Sequence, residues 1–555
     1  MNATKAFRPS DYQLELPVND IIRTESPSAD AVSFDVLFVG AGPASLAGAI
    51  KLSQLVKEEN DRTNGAFGQV TIGVLEKSAE VGHHILSGAV INPRAFNELF
   101  PAIPLSELPF EGPVKQDAVY FLTPKQAFRL PTPPTMHNQG FYVASLCKVV
   151  RWLAEKAQEA GVDILTGFPV STLLVQGDKT VGVRTTDSGR GRQGEPLSNF
   201  QPGTDITAKT VVLGEGTRGY LTQAFLKWQN IQSPNPQIYA LGVKEVWKVP
   251  KAHDAVVHTM GWPLNTRTFG GSFFYPLKDN HVALGLVVGL DYGDASLDVH
   301  YLLQQLKQHP FFRKYLEGGQ IVESGAKTIP EGGYWSLPSR LSGSGVLIVG
   351  DSAGLVEVAS LKGVHYAMAS GILAAETLFE ALKSKNFSDQ SLAAYDQKVR
   401  DSFIHQDLYR RRNMRLAFKE GFWLGSIKAG LSLITGGALF GGRVPAEPDS
   451  RAIRNGTEKT KFSPDGKLTF SKLDMVNQAG NSTRDNIPSH LLASKEINPA
   501  LAEFYASVCP AGVYEVVEGS LRINPPNCID CKATDVVAPR WSPREGGSGP
   551  RYTRM

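Results

Sequence analysis

Apolar runs along the chain fall into a recurring pattern of strand, glycine turn and helix. Phe34-Asp-Val-Leu-Phe-Val has strand length and ends in Gly40-Ala-Gly42-Pro43-Ala-Ser45. Helix-spaced apolar residues follow from Pro43 to about Val56. A second strand-like run, Val70-Thr-Ile-Gly-Val-Leu-Glu76, ends in an acid after the polar insert 57–67. Thr210-Val-Val-Leu ends in Gly-Glu-Gly216. Gly345-Val-Leu-Ile-Val ends in Gly350-Asp351-Ser-Ala-Gly354, with a small-residue helix opening near Gly363. Between these lies 239–292, rich in strand formers and read as an antiparallel sheet. Its Gly270-Gly271 pair marks either close backbone approach to a ligand or a plain bulge. Phe141-Tyr-Val-Ala-Ser-Leu-Cys-Lys-Val-Val-Arg-Trp-Leu reads as an amphipathic helix with Cys147 in its core face.

The first strand–turn–helix carries dinucleotide chemistry. Gly40 permits the tight turn, Gly42 lets the backbone approach a pyrophosphate, and Ser45 takes the position of a small packing residue. Pro43 opens the helix, whose free N–H groups would meet the phosphates. Glu76 closes the next strand, where a carboxylate accepts the ribose hydroxyls. Gly216, Asp351 and the helix at Gly363 recur in the order used by FAD proteins. There the aspartate bonds the ribityl chain, and a helix N-terminus faces the flavin's anionic edge. Together they favour FAD over NAD.

Composition narrows the class. The chain has 555 residues and a net charge of +3, room for several domains and too little charge to indicate a nucleic-acid partner. The leader 1–32 holds Asp11, Glu15, Asp20 and Glu25, which argues against a transit peptide, and is read as a surface or partly disordered extension. The stretch 421–442 is the most hydrophobic, yet contains Lys428 and many glycines and follows Arg410-Arg-Arg-Asn-Met-Arg415. It is expected to lie in a membrane surface, apolar face down, with the basic run at the headgroups.

Three of the four cysteines cluster near the C-terminus, which suggests metal or iron–sulfur chemistry and not a disulfide framework. Cys509-Pro and Cys528-Ile-Asp-Cys531-Lys-Ala-Thr534-Asp535 follow a ferredoxin-like spacing in which the last cysteine is replaced by Thr534. Three thiolates suit a [3Fe–4S] cluster, or a [4Fe–4S] cluster completed by Thr534, Asp535 or water; loss of the cluster is the third reading. His83 and His84, adjacent and expected to point to opposite sides of a strand, are not read as ligands.

These segments together resemble the electron transfer flavoprotein–ubiquinone oxidoreductase family. The resemblance runs from about Phe34 to the C-terminus. It is carried by Val81-Gly-His-His-Ile-Leu-Ser-Gly-Ala, Gly261-Trp-Pro-Leu, Phe269-Gly-Gly-Ser-Phe, Ala283-Leu-Gly-Leu-Val-Val-Gly-Leu-Asp-Tyr, Cys509-Pro-Ala-Gly-Val-Tyr-Glu and Glu545-Gly-Gly-Ser-Gly-Pro. It implies a multidomain α/β and α+β protein. Its parts would be an extension (1–33), a discontinuous glutathione-reductase-like FAD domain (34–235 and 336–400), an antiparallel-sheet quinone domain (236–335), a membrane-surface helical segment (401–445) and a ferredoxin-like iron–sulfur domain (446–555).

Carried over by position, Gly270 and Gly271 would line the quinone site. Cys509, Cys528 and Cys531 would hold the cluster, and Gly40, Gly42, Pro43, Ser45, Glu76, Gly216, Gly350, Asp351, Gly354 and Gly363 the FAD. The implied activity is that of an electron-transferring-flavoprotein dehydrogenase: electron transfer flavoprotein donates and ubiquinone accepts. The protein would be monomeric and monotopic, on the cytoplasmic side of a bacterial inner membrane or the matrix side of the mitochondrial one. The family's basic residue before Lys362-Gly363 is missing, since Ser360 and Leu361 stand there. Alternative readings are a flavin-only membrane oxidoreductase with another donor, an isoprenoid-lipid reductase, or a redox-inert paralogue.

Overall fold

The computed structural model describes residues 8–452, 456, 462–494 and 497–555. In chain order, β1 (Val32–Val39) leads through the glycine turn into α1 (Pro43–Arg62) and β2 (Ile72–Glu76). The hairpin β3 (Gln116–Leu122) and β4 (Ala127–Leu130) follows, then α2 (Leu146–Glu159). Next come β5 (Asp163–Thr166), β6 (Val170–Gln176), β7 (Lys179–Thr185) and β8 (Asp205–Leu213). The strands β9 (Tyr239–Lys248), β10 (Ala255–Gly261), β11 (Gly270–Leu277), β12 (His281–Gly289) and β13 (Gln320–Pro330) form the middle of the chain. β14 (Val346–Ile348), α3 (Val364–Ser384), α4 (Phe422–Ile434) and α5 (Pro499–Val508) are the later elements that bear on the site.

The first sheet has a parallel core in the order β14–β8–β1–β2–β5. Val36, Leu37 and Phe38 of β1 are fully buried, as the middle strand of a parallel sheet covered on both faces requires. Helix α1 runs to Arg62, past the expected end at Val56. The supposed insert begins with good helix formers, and Glu59 and Arg62 pair one turn apart. Helix α2 starts at Leu146, capped by Ser145, and Cys147 is fully buried with its thiol on the Ile85 carbonyl at 3.0 Å.

The second sheet runs β13–β9–β12–β11–β10–β3–β4. It is not built from the middle segment alone, because β3 and β4 come from 116–130, within the stretch assigned by sequence to the first domain. Nor is it wholly antiparallel: β10 and β3 pair in parallel, Ala255 opposite Gln116 through Gly261 opposite Leu122. The described part of the leader packs on the body of the protein. Ile22–Arg23 adds a strand beside β6, and the Leu14 carbonyl accepts a bond from Arg540 in the C-terminal part.

Of the hydrophobic stretch 421–442, only α4 is α-helical. Its buried residues are Gly425, Ala429 and Ser432, while Trp423, Leu424, Ile427, Leu431 and Ile434 are exposed along one side. No helix among the described residues is long and apolar enough to cross a membrane.

Candidate functional site

The two sheets enclose a cavity of about 360 Å³, large enough for part of an extended cofactor. One wall is the glycine turn of β1. Gly40 has φ +97, and a Cβ there would lie 2.6 Å from the Gly214 carbonyl oxygen, so the turn excludes any side chain. Gly40, Gly42, Pro43, Glu76, Gly216, Gly350, Asp351 and Gly363 all line this one cavity, although 323 positions separate the first from the last.

Glu76 is buried at the end of β2. Its carboxylate accepts the Ala41 amide at 3.0 Å and the Ser78 amide and hydroxyl at 2.9 and 2.8 Å, so it also braces the turn. The N-terminus of α3, at Gly363 and Val364, opens onto the cavity. Asp351 faces the interior, and burial pushes its carboxyl up to about 6, opposed by nearby Lys327.

Ser45 and Gly354 are not part of this lining. Ser45 is fully buried behind the turn, against Gly214. Gly354 is a left-handed turn residue packed on the Gln237 amide.

The second sheet supplies the facing wall through Lys244, Phe273, Tyr275, Val287 and Lys327. Tyr275 and His258 are hydrogen-bonded at 2.7 Å. Burial pulls His258 down to about 3, leaving it neutral, so the phenol donates to its Nε2. Lys244 donates to the Ser87 carbonyl at 2.8 Å and, by burial, falls to about 8.

Gly270 and Gly271 lie at the other end of β11. Cβ atoms there would sit 2.3 Å from the Val287 oxygen and 2.6 Å from the Thr259 oxygen, so packing between strands is enough to demand glycine at both. The preceding Phe269 stacks near Phe418, and Phe422 bonds to Thr266, placing this end of β11 against the exposed apolar helix.

The basic run does not face outward as expected. Arg411 binds Glu357 at 2.6 Å, Arg412 binds the Gly437 and Gly441 carbonyls, and buried Arg415 pairs with Glu331 at 2.8 Å and Asp291 at 2.9 Å. Carboxylates and loop carbonyls capture these guanidiniums because the helical segment folds back on the body. Arg410 alone of the four arginines is exposed.

Cys509, Cys528 and Cys531 are brought into one buried core next to this cavity. Each sulfur accepts backbone N–H groups: from Ala511 and Val513 at Cys509, from Asp530 at Cys528 and from Ala533 at Cys531. That is the environment of metal-bound thiolates. As free thiols they are held protonated by burial, with Cys531 pushed up to about 12. Beside Cys528 sits His490, buried with both ring nitrogens unpartnered, and the ligand atoms of His490, Cys528 and Asp530 lie within 4.8 Å of one another.

The three thiols expected as ligands thus share one buried core. Thr534, at the position where the ferredoxin-like spacing expects a further cysteine, has its Oγ1 3.4 Å from the Tyr514 hydroxyl. Asp535 is unsuited to act as a ligand there, because its carboxylate is taken by Arg218 and by the Trp541 amide at 2.9 Å.

Sequence reading missed the charged joint between these two regions. Asp530, between the two cysteines, meets Lys77 at 2.7 Å, Arg544 at 3.0 Å and Trp541 Nε1 at 3.1 Å, with His84 Nδ1 at 3.4 Å. Lys77, His84 and Trp541 line the cavity. His83 and His84 stand on a turn, not a strand, and both are buried. The only advance signal was an acid placed between two clustered cysteines.

Known families match this arrangement. A family model described as "ETF-QO, ubiquinone-binding" matches residues 239–329, and one described as "Electron transfer flavoprotein-ubiquinone oxidoreductase, 4Fe-4S" matches 466–553. The chain is 39% identical to the mitochondrial electron transfer flavoprotein–ubiquinone oxidoreductase of Arabidopsis thaliana, over 97% of this chain and 88% of that one. It is 38% identical to the enzyme of the same name from Pseudomonas aeruginosa, over 94% and 99%. Among solved structures, a geranylgeranyl bacteriochlorophyll reductase-like protein of Thermoplasma acidophilum aligns with TM-score 0.57 at 19% identity, over 74% of this chain and 96% of that one. A flavin-dependent brominase aligns with TM-score 0.51 at 16% identity, over 74% and 94%. These two show a shared fold.

Proposed function

The chain belongs to the electron transfer flavoprotein–ubiquinone oxidoreductase family, and from that premise we propose that it takes electrons from reduced electron transfer flavoprotein and delivers them to ubiquinone at a membrane surface. It is an oxidoreductase whose cofactors are FAD and an iron–sulfur cluster. The observation that carries the proposal is the double lining of the cavity. Its one wall is the glycine turn with Glu76 and Asp351, and its other is the sheet whose sequence matches the ubiquinone-binding family model.

Bound FAD would supply the redox chemistry; the residues supply binding and electrostatics. Gly40, Gly42 and the N-terminus of α1 hold the diphosphate. Glu76 takes the ribose and Asp351 the ribityl chain, with the N-terminus of α3 set toward the ring. Gly216 and Gly350 keep the cavity floor free of side chains, while Ser45 and Gly354 shape it from behind. Phe273 and Tyr275 exclude water from the ring's side of the sheet.

Gly270 and Gly271 mark the quinone's approach from the apolar helix. The membrane is met by the exposed side of α4 as a monotopic contact of a monomer. That membrane is a bacterial inner membrane on its cytoplasmic side, or the mitochondrial inner membrane on its matrix side. Cys509, Cys528 and Cys531 ligate a cluster whose fourth corner is left to Thr534 or water. The domain limits proposed from sequence are kept, except that 116–130 joins the quinone domain.

The test is an anaerobic preparation carrying FAD, supplied with reduced electron transfer flavoprotein and a short-chain ubiquinone. Quinol formation is expected. No quinol, with flavin bound, refutes the proposal. Iron, acid-labile sulfide and the EPR spectrum of the same preparation report the cluster: about three irons per flavin with a signal in the oxidised state indicates the three-thiolate form, and about four the cubane. Flavin without iron refutes the cluster relay.

A further inference from the structure

Among the described residues, two lysines at the joint between the cysteine loop and the flavin cavity have no ion-paired acid. Lys532 immediately follows Cys531, is 7% exposed, and lines the cavity. Its ammonium donates to the carbonyls of Arg218 and Thr217 at 2.9 and 3.3 Å and lies 4.5 Å from the centre of the Trp541 ring. Lys327, on β13, also lines the cavity and donates to the Asp530 carbonyl at 3.1 Å. Neither has a carboxylate within ion-pair distance among the described residues.

Among the described residues the acids around them are held by other groups, except Asp351, which acts on Lys327 across the cavity from beyond ion-pair distance. Glu76 is held by Ala41 and Ser78. Glu215 is held by the amides of Leu221 and Thr222. Asp530 is bound to Lys77 and Arg544, and Asp535 to Arg218. An ammonium has three donors, so Lys532 has one left and Lys327 two. A buried cation without a counter-ion is costly.

FAD in its oxidised form has one anionic part, the diphosphate. The glycine turn that receives a diphosphate lines the same cavity, as does Glu76 at the adenosine end. We propose that Lys532 and Lys327 bind the diphosphate of FAD, so that the cysteine loop itself supplies part of the flavin site. This rests on the FAD reading above and adds two binding residues to it. It also makes the C-terminal domain a wall of the cavity, with Lys532 and Trp541 closing what Gly40 and Glu76 begin.

The test measures FAD binding by the full chain, using quenching of FAD fluorescence after flavin removal, for the wild type, K532M, K532R and K327M. Circular dichroism and gel filtration verify the fold. Loss of a charge-assisted bond predicts at least about tenfold weaker FAD binding in K532M and K327M, with K532R within about threefold of the wild type. ADP should compete with FAD better than adenosine does, and that advantage should shrink in K532M by the same factor. Adenosine carries no phosphate, so a general loosening of the pocket would weaken both competitors alike and overturn the inference.

So would K532M and K327M proteins that bind FAD within about twofold of the wild type. If K532M does not fold, K327M on its separate strand decides the matter. A wild-type chain that binds no FAD overturns both this inference and the proposed function. A wild type that binds FAD beside unaffected variants overturns this inference alone.

Discussion

Polar substitution of the exposed side of α4 tests the membrane reading most directly. Ile427 is 61% exposed and Ile434 is 83% exposed, nearly two turns apart on one side of the helix, while Gly425, Ala429 and Ser432 pack inward. Burying an aliphatic side chain completely is worth about 1.5–3 kcal/mol. Scaled by the surface each still exposes, transfer into the acyl boundary gives about 1–2 kcal/mol for Ile427 and about 1.2–2.5 for Ile434. The double variant I427N/I434N forfeits about 2–4 kcal/mol of membrane affinity, roughly 30- to 1000-fold in partition. The assay is flotation with liposomes of phosphatidylethanolamine and phosphatidylglycerol, with protein quantified across the gradient. Wild type should float and the variant should stay at the bottom, with circular dichroism unchanged because the packed face is untouched. A wild type that does not float, or a variant that floats within about threefold of it, refutes the assignment of this helix.

Gly40→Ala should yield protein with little or no FAD, since the new Cβ would lie 2.6 Å from the Gly214 oxygen at a φ of +97; the flavin-to-protein absorbance ratio checks it. Asp351→Asn tests burial of the carboxyl, which is pushed up to about 6. The unfolded chain loses this proton near pH 4, so the flavin-free wild type loses stability as pH rises from about 4 to 6. Above that it carries a penalty of about 3 kcal/mol. The variant should be more stable than wild type by up to that amount at pH 7.5 and equal to it at pH 4, as read by urea denaturation. Thr534→Cys restores a fourth thiol beside Cys531 and should raise iron to about four per chain if the wild type holds three; iron that does not change refutes the reading of that corner.

The glycine turn, Glu76 and Asp351 were legible in the sequence because each depends on local chemistry. A strand that ends in glycine, or in an acid, announces its end without reference to distant residues. Their convergence on one cavity follows from a parallel sheet, which collects strand C-termini along one edge. Residues supplied by the other sheet were not legible. Lys244 and Lys327 sit in strands, where a lysine reads as solvent-facing, and only the packing of two sheets face to face turns them inward. The hairpin 116–130 gave no sign that it would pair in parallel with β10, since register and partner are long-range properties. The arginines at 411, 412 and 415 read as a membrane-facing patch for the same reason: their carboxylate and carbonyl partners are remote in sequence.

The flavin cavity gains its meaning from what lies on either side of it. Along β11, Gly270 stands three residues from Phe273, about 10 Å at strand rise, so the end nearest the apolar helix and the wall of the cavity belong to one rigid strand. On the opposite side, Cys528 is two residues from Asp530, whose carboxylate meets the cavity residues Lys77 and Trp541. A cofactor in the cavity is thus joined by short, hydrogen-bonded connections both to the thiol core and to the quinone's proposed approach. This arrangement needs no mobile carrier within the protein, because spacing is fixed by a strand on one side and by an ion-paired loop on the other.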